Sequence, residues 1–127
     1  MVGLLLLSHS PKLVEGLRDV ASEMAKGLTI HVAGGNAAGG LGSDYDLIKE
    51  ALLKAYNPDG LIVLYDLGST AMTAELVMDE MDDGKKESIR IMKAPLVEGT
   101  IVAAVEISSG ADLEAVVEVL SEMEIIK

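Results

Sequence analysis

The chain has 127 residues, one domain's worth, with 50% apolar residues but only 2% aromatic: three Tyr, no Trp and no Phe. With no Cys and only two His, thiolate nucleophiles, disulfides, iron-sulfur clusters, thiolate zinc sites and His-rich metal sites are excluded. A net charge of -11 argues against nucleic-acid binding, which rests on Lys and Arg neutralising phosphates. It suits partners with a basic docking face, solubility being the simpler reading. The first apolar run, Val2 to Leu7, is too short to span a membrane and has no charged segment before it, so the chain reads as cytosolic and without a membrane role.

Four short runs have strand character: Val2 to Leu7, Leu28 to Ala33, Gly60 to Tyr65 and Ser88 to Met92. Each is followed by a turn and a helical pattern. After the first come Leu13, Val14, Leu17, Val20, Ala21 and Met24, one face of a helix. After the second come Leu47, Ile48, Ala51, Leu52 and Ala55; after the third, Ala74, Val77, Met78 and Met81, with a stop expected at Asp82, Asp83 and Gly84. The segment from Pro95 to Ser109 is apolar nearly all round, and Leu113, Val116, Val117, Leu120 and Met123 mark a last helix.

Alternation of strands and helices predicts an α/β three-layer sandwich: a mainly parallel sheet of four or five strands with helices on both faces. Leu4 to Leu7 and Leu61 to Leu64 are continuous apolar runs, as strands buried on both faces require. The helix over 95–109 must be covered on more than one side. A central position explains that, and so does a homodimer interface, the reading preferred at this chain length.

Ligands of an open parallel sheet bind beyond the carboxyl ends of its strands. There the sequence places Ser8, His9, Ser10 and Pro11; a glycine-rich loop from Gly34 to Ser43; Asp66, Leu67, Gly68, Ser69 and Thr70; and Lys93 to Gly99. One imidazole, one carboxylate, hydroxyls and glycines thus meet at one edge, a set suited to carrying a phosphoryl group on His9. Asp66 can hold Nδ1 of the ring, while helix N-termini, glycine backbone and the Ser43, Ser69 and Thr70 hydroxyls surround the phosphate. The duller readings are an N-cap at Ser10 with Pro11 at the first helical position, a plain turn at 66–69, and a structural His31 in mid-strand. Leu41 stands where a P-loop would have lysine, so a nucleotide-binding P-loop is not supported.

The segments Leu7-Ser8-His9-Ser10, Gly34-Gly35 with Leu41-Gly42-Ser43, Asp66 to Met72, and Ala94-Pro95-Leu96-Val97-Glu98-Gly99 match in order and spacing a known pattern. Across essentially the whole chain, the sequence resembles the phosphotransferase (DhaM) subunits of bacterial-type dihydroxyacetone kinase, which have the mannose-family IIA fold of the sugar phosphotransferase system. The resemblance implies that His9 accepts a phosphoryl group, originally from phosphoenolpyruvate, from the phosphocarrier HPr. It passes this group to ADP held on the nucleotide-binding kinase subunit, so ADP is the partner's cofactor and none is bound by this chain. It also implies a homodimer, catalytic roles for His9 and Asp66, and Ser10, Ser43, Gly68, Ser69 and Thr70 around the phosphate, with no metal. Residues 1–127 are expected to form a single IIA-like domain without an HPr-like extension. Two rival readings are a IIA component of a mannose-type sugar transporter and a non-catalytic module of the same fold; an intact His9 and Asp66 pair argues against the second.

Overall fold

A computed structural model of the chain describes residues 1–126. Its elements are β1 (Gly3–Ser8), α1 (Pro11–Met24), β2 (Ile30–Gly34), α2 (Tyr45–Ala55), β3 (Leu61–Tyr65), α3 (Gly68–Asp79), α4 (Asp83–Glu87), β4 (Ile89–Met92), α5 (Leu96–Ser108) and α6 (Leu113–Ser121). The four strands form one parallel sheet in the order β2-β1-β3-β4. The expected α/β sandwich is therefore present, with four strands.

Side-chain parity along the strands builds two cores. Leu4, Leu6, Ile62 and Leu64 pack on one face with Val14, Leu17 and Ala21 of α1, Ala103, Ala104 and Ile107 of α5, and Val116 and Leu120 of α6. Leu5, Leu7, Leu61, Val63 and Tyr65 pack on the other with Ile48, Leu52 and Ala55 of α2 and Ala71, Ala74 and Val77 of α3. Because both faces are covered, β1 and β3 tolerate no polar position until their ends, which is why their sequences run apolar without alternation. Burying one such Leu or Ile contributes roughly 1.5–3 kcal/mol, so the central strands dominate the stability of the fold.

Two expectations needed correction. Helix α3 ends at Asp79, before the stop expected at Asp82 to Gly84, and those residues instead begin a further short helix, α4, whose first-turn Asp83 and last-turn Lys85 and Lys86 suit its dipole. Gly68, Ser69 and Thr70 form the first turn of α3 and not a separate loop, since α3 starts two residues after Asp66. Central placement also accounts for the apolar girth of α5. Gly99, Thr100, Ala103, Ala104 and Ile107 are buried within one chain, between α1 and α6 and against the sheet, leaving Val97 and Val105 exposed. That burial needs no second copy to explain it.

Candidate functional site

The chain leaves β1 for β2 on one side and returns to lay β3 on the other, so strand order reverses at β1. The connections diverge there and open a crevice at the carboxyl ends of β1 and β3. Leu7 pairs with Tyr65, the last residue of β3, so the residues that follow, Ser8 and His9 on one side and Asp66 on the other, face each other across it.

Asp66 is held from both ends. Its Oδ2 accepts from the Ser8 hydroxyl at 2.7 Å and from the His9 backbone N–H at 3.0 Å. Its Oδ1 accepts from the Leu67 N–H at 2.7 Å and faces His9 Nδ1 at 3.3 Å. Burial alone pushes the carboxyl pKa up, but these bonds from Ser8, His9 and Leu67 outweigh it and hold Asp66 below the ordinary carboxylate range. An anionic oxygen beside Nδ1 can only accept, so the ring proton belongs on Nδ1 and Nε2 keeps a free lone pair. With their side chains 25% and 17% exposed, His9 and Asp66 remain reachable from solvent.

Hydroxyls complete the surroundings of the ring. Ser69 Oγ lies 2.8 Å and Ser43 Oγ 3.3 Å from Nε2. Thr70 Oγ1 sits at the other nitrogen, 2.9 Å from Nδ1, 3.4 Å from Asp66 Oδ1 and 3.0 Å from Ser43 Oγ. Ser69 and Thr70 are neighbours on the first turn of α3, so one helical step places a hydroxyl at each ring nitrogen. Helix α3 starts without a side-chain cap two residues after Asp66, its Thr70 N–H bonded back to the Leu67 carbonyl at 3.0 Å, so the positive end of its dipole lies at this edge.

The glycine-rich loop is folded back onto the same edge. Gly34 lies so close to the start of α1 that a Cβ would stand 2.8 Å from the Ser10 carbonyl oxygen. Gly35 has φ +74°, and a Cβ there would stand 2.2 Å from the Gly40 carbonyl. The Asn36 side chain then staples the loop, accepting from the Ala38 and Gly40 N–H groups at 3.0 Å each and donating to the Leu41 carbonyl at 3.1 Å. Gly42 N–H donates to the His9 carbonyl at 3.0 Å, which fixes the loop to the residue after β1 and brings Ser43 to the ring.

Of the residues singled out in the sequence, His9, Asp66, Ser43, Ser69 and Thr70 are thus brought together. Gly68 is the first residue of α3. Ser10 caps α1, its hydroxyl accepting from the Leu13 N–H at 3.3 Å. His31 lies in edge strand β2, its pKa lowered by burial and by the Lys54 and Arg18 charges. Sequence reasoning gave no role to Ser8 or Asn36. The signal for Ser8 was present: it is a hydroxyl ending a continuous apolar strand. Only three polar side chains are buried among the described residues, and two of them, Ser8 and Thr70, belong to this site.

Residues 3–117 match the EIIA-man family, described as the PTS system fructose IIA component. The chain is 34% identical to the phosphotransferase subunit DhaM of the PTS-dependent dihydroxyacetone kinase of Lactococcus lactis, covering 98% of each chain. It is 33% identical to a phosphoryl donor subunit DhaM of the PEP-dependent dihydroxyacetone kinase 2 of Listeria innocua, over 97% of this chain and 99% of the relative. The DhaM subunit of Klebsiella michiganensis is longer: at 34% identity the match takes in 93% of this chain but 26% of that protein. A crystal structure of a protein of unknown function superposes with a TM-score of 0.85 at 27% identity, over 98% of this chain and 96% of that one. No helix of the described residues is long and apolar enough to cross a membrane. Matched along nearly its whole length by both comparisons, the chain belongs to the EIIA-man family and, within it, to the DhaM subunits.

Proposed function

We propose that this chain is the phosphohistidine relay of a dihydroxyacetone kinase, with His9 as the residue that carries the phosphoryl group. The observation that supports it best is the division of labour at the ring: Nδ1 is backed by Asp66, and Nε2 faces the hydroxyls of Ser69 and Ser43. In the first step the Nε2 lone pair attacks the phosphorus of a phosphohistidine on HPr. The carrier's P–N bond breaks, its imidazole leaves, and a P–N bond to Nε2 forms. Asp66 keeps the proton on Nδ1 and balances the positive charge that develops on the ring. The hydroxyls of Ser69 and Ser43, with the N-terminal amides of α3, receive the phosphoryl oxygens.

In the second step a terminal phosphate oxygen of ADP, held on the nucleotide-binding kinase subunit, attacks the same phosphorus. ATP forms there, and His9 is returned with its lone pair for another cycle. The regenerated ATP then phosphorylates dihydroxyacetone. The reading makes HPr and the ADP-binding subunit successive partners in the cytoplasm, takes ADP as the partner's cofactor, and includes the homodimer implied by the resemblance. The relatives' names support the kinase over a sugar transporter, since each is a subunit of a dihydroxyacetone kinase.

The test offers the purified chain phosphoenolpyruvate with the general phosphotransferase enzymes, then adds the ADP-loaded kinase subunit. An acid-labile phosphate should appear on His9 and be discharged as ATP forms. A His9→Ala protein that labels as fully as wild type overturns the assignment.

A further inference from the structure

Ser8 is the last residue of β1 and is 3% exposed, although it carries a hydroxyl into a strand end otherwise made of leucine. Both functions of that hydroxyl are used. Its oxygen accepts from the Ser10 backbone N–H at 3.0 Å, and its proton goes to Asp66 Oδ2 at 2.7 Å. Because the amide can only donate, the direction of the pair is fixed: Ser8 must give its proton to the carboxylate.

We propose that Ser8 is a positioning residue for phosphoryl transfer, acting through Asp66 to set which nitrogen of His9 carries the proton. The inference rests on the relay reading and adds to it a residue that does not touch the ring. A carboxylate turns freely about its Cβ–Cγ bond unless both oxygens are committed. Leu67 N–H holds Oδ1 at the crevice side, and Ser8 with His9 N–H holds Oδ2 at the strand side, so Oδ1 stays aimed at Nδ1. The Ser8 hydroxyl also stabilises the anionic form of Asp66, and an anion enforces the Nδ1–H tautomer, whereas a protonated carboxyl does not. The dipeptide Ser8-His9 therefore encodes the orienting contact and the nucleophile side by side, Ser8 at Oδ2 and the His9 ring at Oδ1 of one carboxylate.

The test reads tautomer and transfer separately. Long-range ¹⁵N–¹H spectra of the His9 ring in the isolated, unphosphorylated chain report which nitrogen is protonated, and ¹³C spectra follow titration of the Asp66 carboxyl. Ser8→Ala is expected to shift the ring away from the Nδ1–H form, raise the titration midpoint of Asp66, and slow phosphorylation of His9 about tenfold or more. Ser8→Thr, which keeps the hydroxyl, is expected to restore the wild-type tautomer. Ser8→Cys, close in size and a weaker donor, should give an intermediate shift and serves in place of the alanine variant if that one does not fold. A folded Ser8→Ala or Ser8→Cys protein with wild-type ring spectra and Asp66 titration overturns the proposal, whatever its transfer rate. Since the spectra need no phosphoryl donor, a wild-type chain that no carrier phosphorylates would overturn the relay reading without touching the Ser8 result.

Discussion

Asp66→Asn is the sharpest perturbation of this site, because it preserves shape and reverses hydrogen-bond polarity at one oxygen. Every polar neighbour of Asp66 donates to it: Leu67 N–H, the Thr70 hydroxyl and the Nδ1 side at Oδ1, Ser8 and His9 N–H at Oδ2. An asparagine must put its NH₂ group on one of these sides, and each side contains a backbone N–H that cannot turn round. One amide is therefore left against a donor in a partly buried place. Unsatisfied, that costs about 1–3 kcal/mol, and water reaching the exposed fraction keeps it toward the lower end. For a chain of this size the midpoint of thermal unfolding should fall by roughly 5 °C, so the variant remains folded at assay temperature.

The effect on transfer should be far larger than the effect on stability. With NH₂ beside Nδ1, the ring must accept there and carry its proton on Nε2, which removes the nucleophilic lone pair. With the oxygen beside Nδ1 the tautomer survives, but no anion balances the positive ring during transfer. A histidine with the wrong tautomer loses on the order of 10²–10⁴ in rate, by the general behaviour of histidine held by a carboxylate. Rapid-quench phosphorylation from a labelled carrier measures this, and a melting curve checks the fold. A folded Asp66→Asn protein that accepts phosphate within a few-fold of the wild-type rate refutes the assigned role of Asp66.

Thr70→Val replaces a fully buried hydroxyl by a methyl of similar shape; it should cost about 1–2 kcal/mol in denaturant unfolding and slow transfer less than Asp66→Asn, because Asp66 still faces Nδ1. Gly35→Ala forces a Cβ onto the Gly40 carbonyl at φ +74° and should destabilise the domain by about 1–3 kcal/mol; an unchanged unfolding midpoint would show that the loop rearranges freely. Acidification gives a signed prediction. Since Asp66 is held below its unfolded range, its contribution to stability is fully present above the ordinary carboxylate pKa and is lost as pH falls through its lowered folded value. Acid unfolding of Asp66→Asn should lack that component, and superimposable acid limbs for the two proteins would count against it.

Much of the fold was legible because its strands are buried on both faces. Leu4 to Leu7 and Leu61 to Leu64 have no polar interruption, and helical stripes such as Val14, Leu17 and Ala21 have one dry face. What escaped was local and polar. The helix α4 has no buried residue, so no hydrophobic period announces it, and its start at Asp82 to Gly84 reads in sequence as a helix stop. Thr70 was placed near the phosphate by sequence order, yet one residue of helix rotation takes it to Nδ1 while Ser69 reaches Nε2. Ser8 was passed over because its role depends on the β1–β3 pairing that puts Asp66 opposite it, a contact between residues 58 apart in the chain.

Net charge was the least informative of the sequence features for the site, and the structure explains why. The four segments that carry the edge, residues 8–13, 34–46, 66–72 and 93–99, hold two lysines and four carboxylates, so nine of the eleven net negative charges lie elsewhere. Two of those four carboxylates are already committed, Asp66 to its donors and Asp44 to capping α2 through the Leu47 N–H at 3.0 Å. Beside the exposed Lys12, Asp46, Lys93 and Glu98, whose charges cancel, the edge segments present apolar side chains: Leu41, Leu67 and Met72 are 75%, 56% and 67% exposed. Each is within two residues of a side chain at the ring, in Leu41 before Ser43, Leu67 after Asp66 and Met72 after Thr70. Charges on the far helices act on an approaching surface only across distances comparable to the Debye length, about 8 Å at physiological ionic strength, and are screened beyond it. A protein surface seated over His9 would therefore meet edge segments of small net charge that also expose apolar side chains, and the acidity of the whole chain acts on its approach more than on the contact it makes.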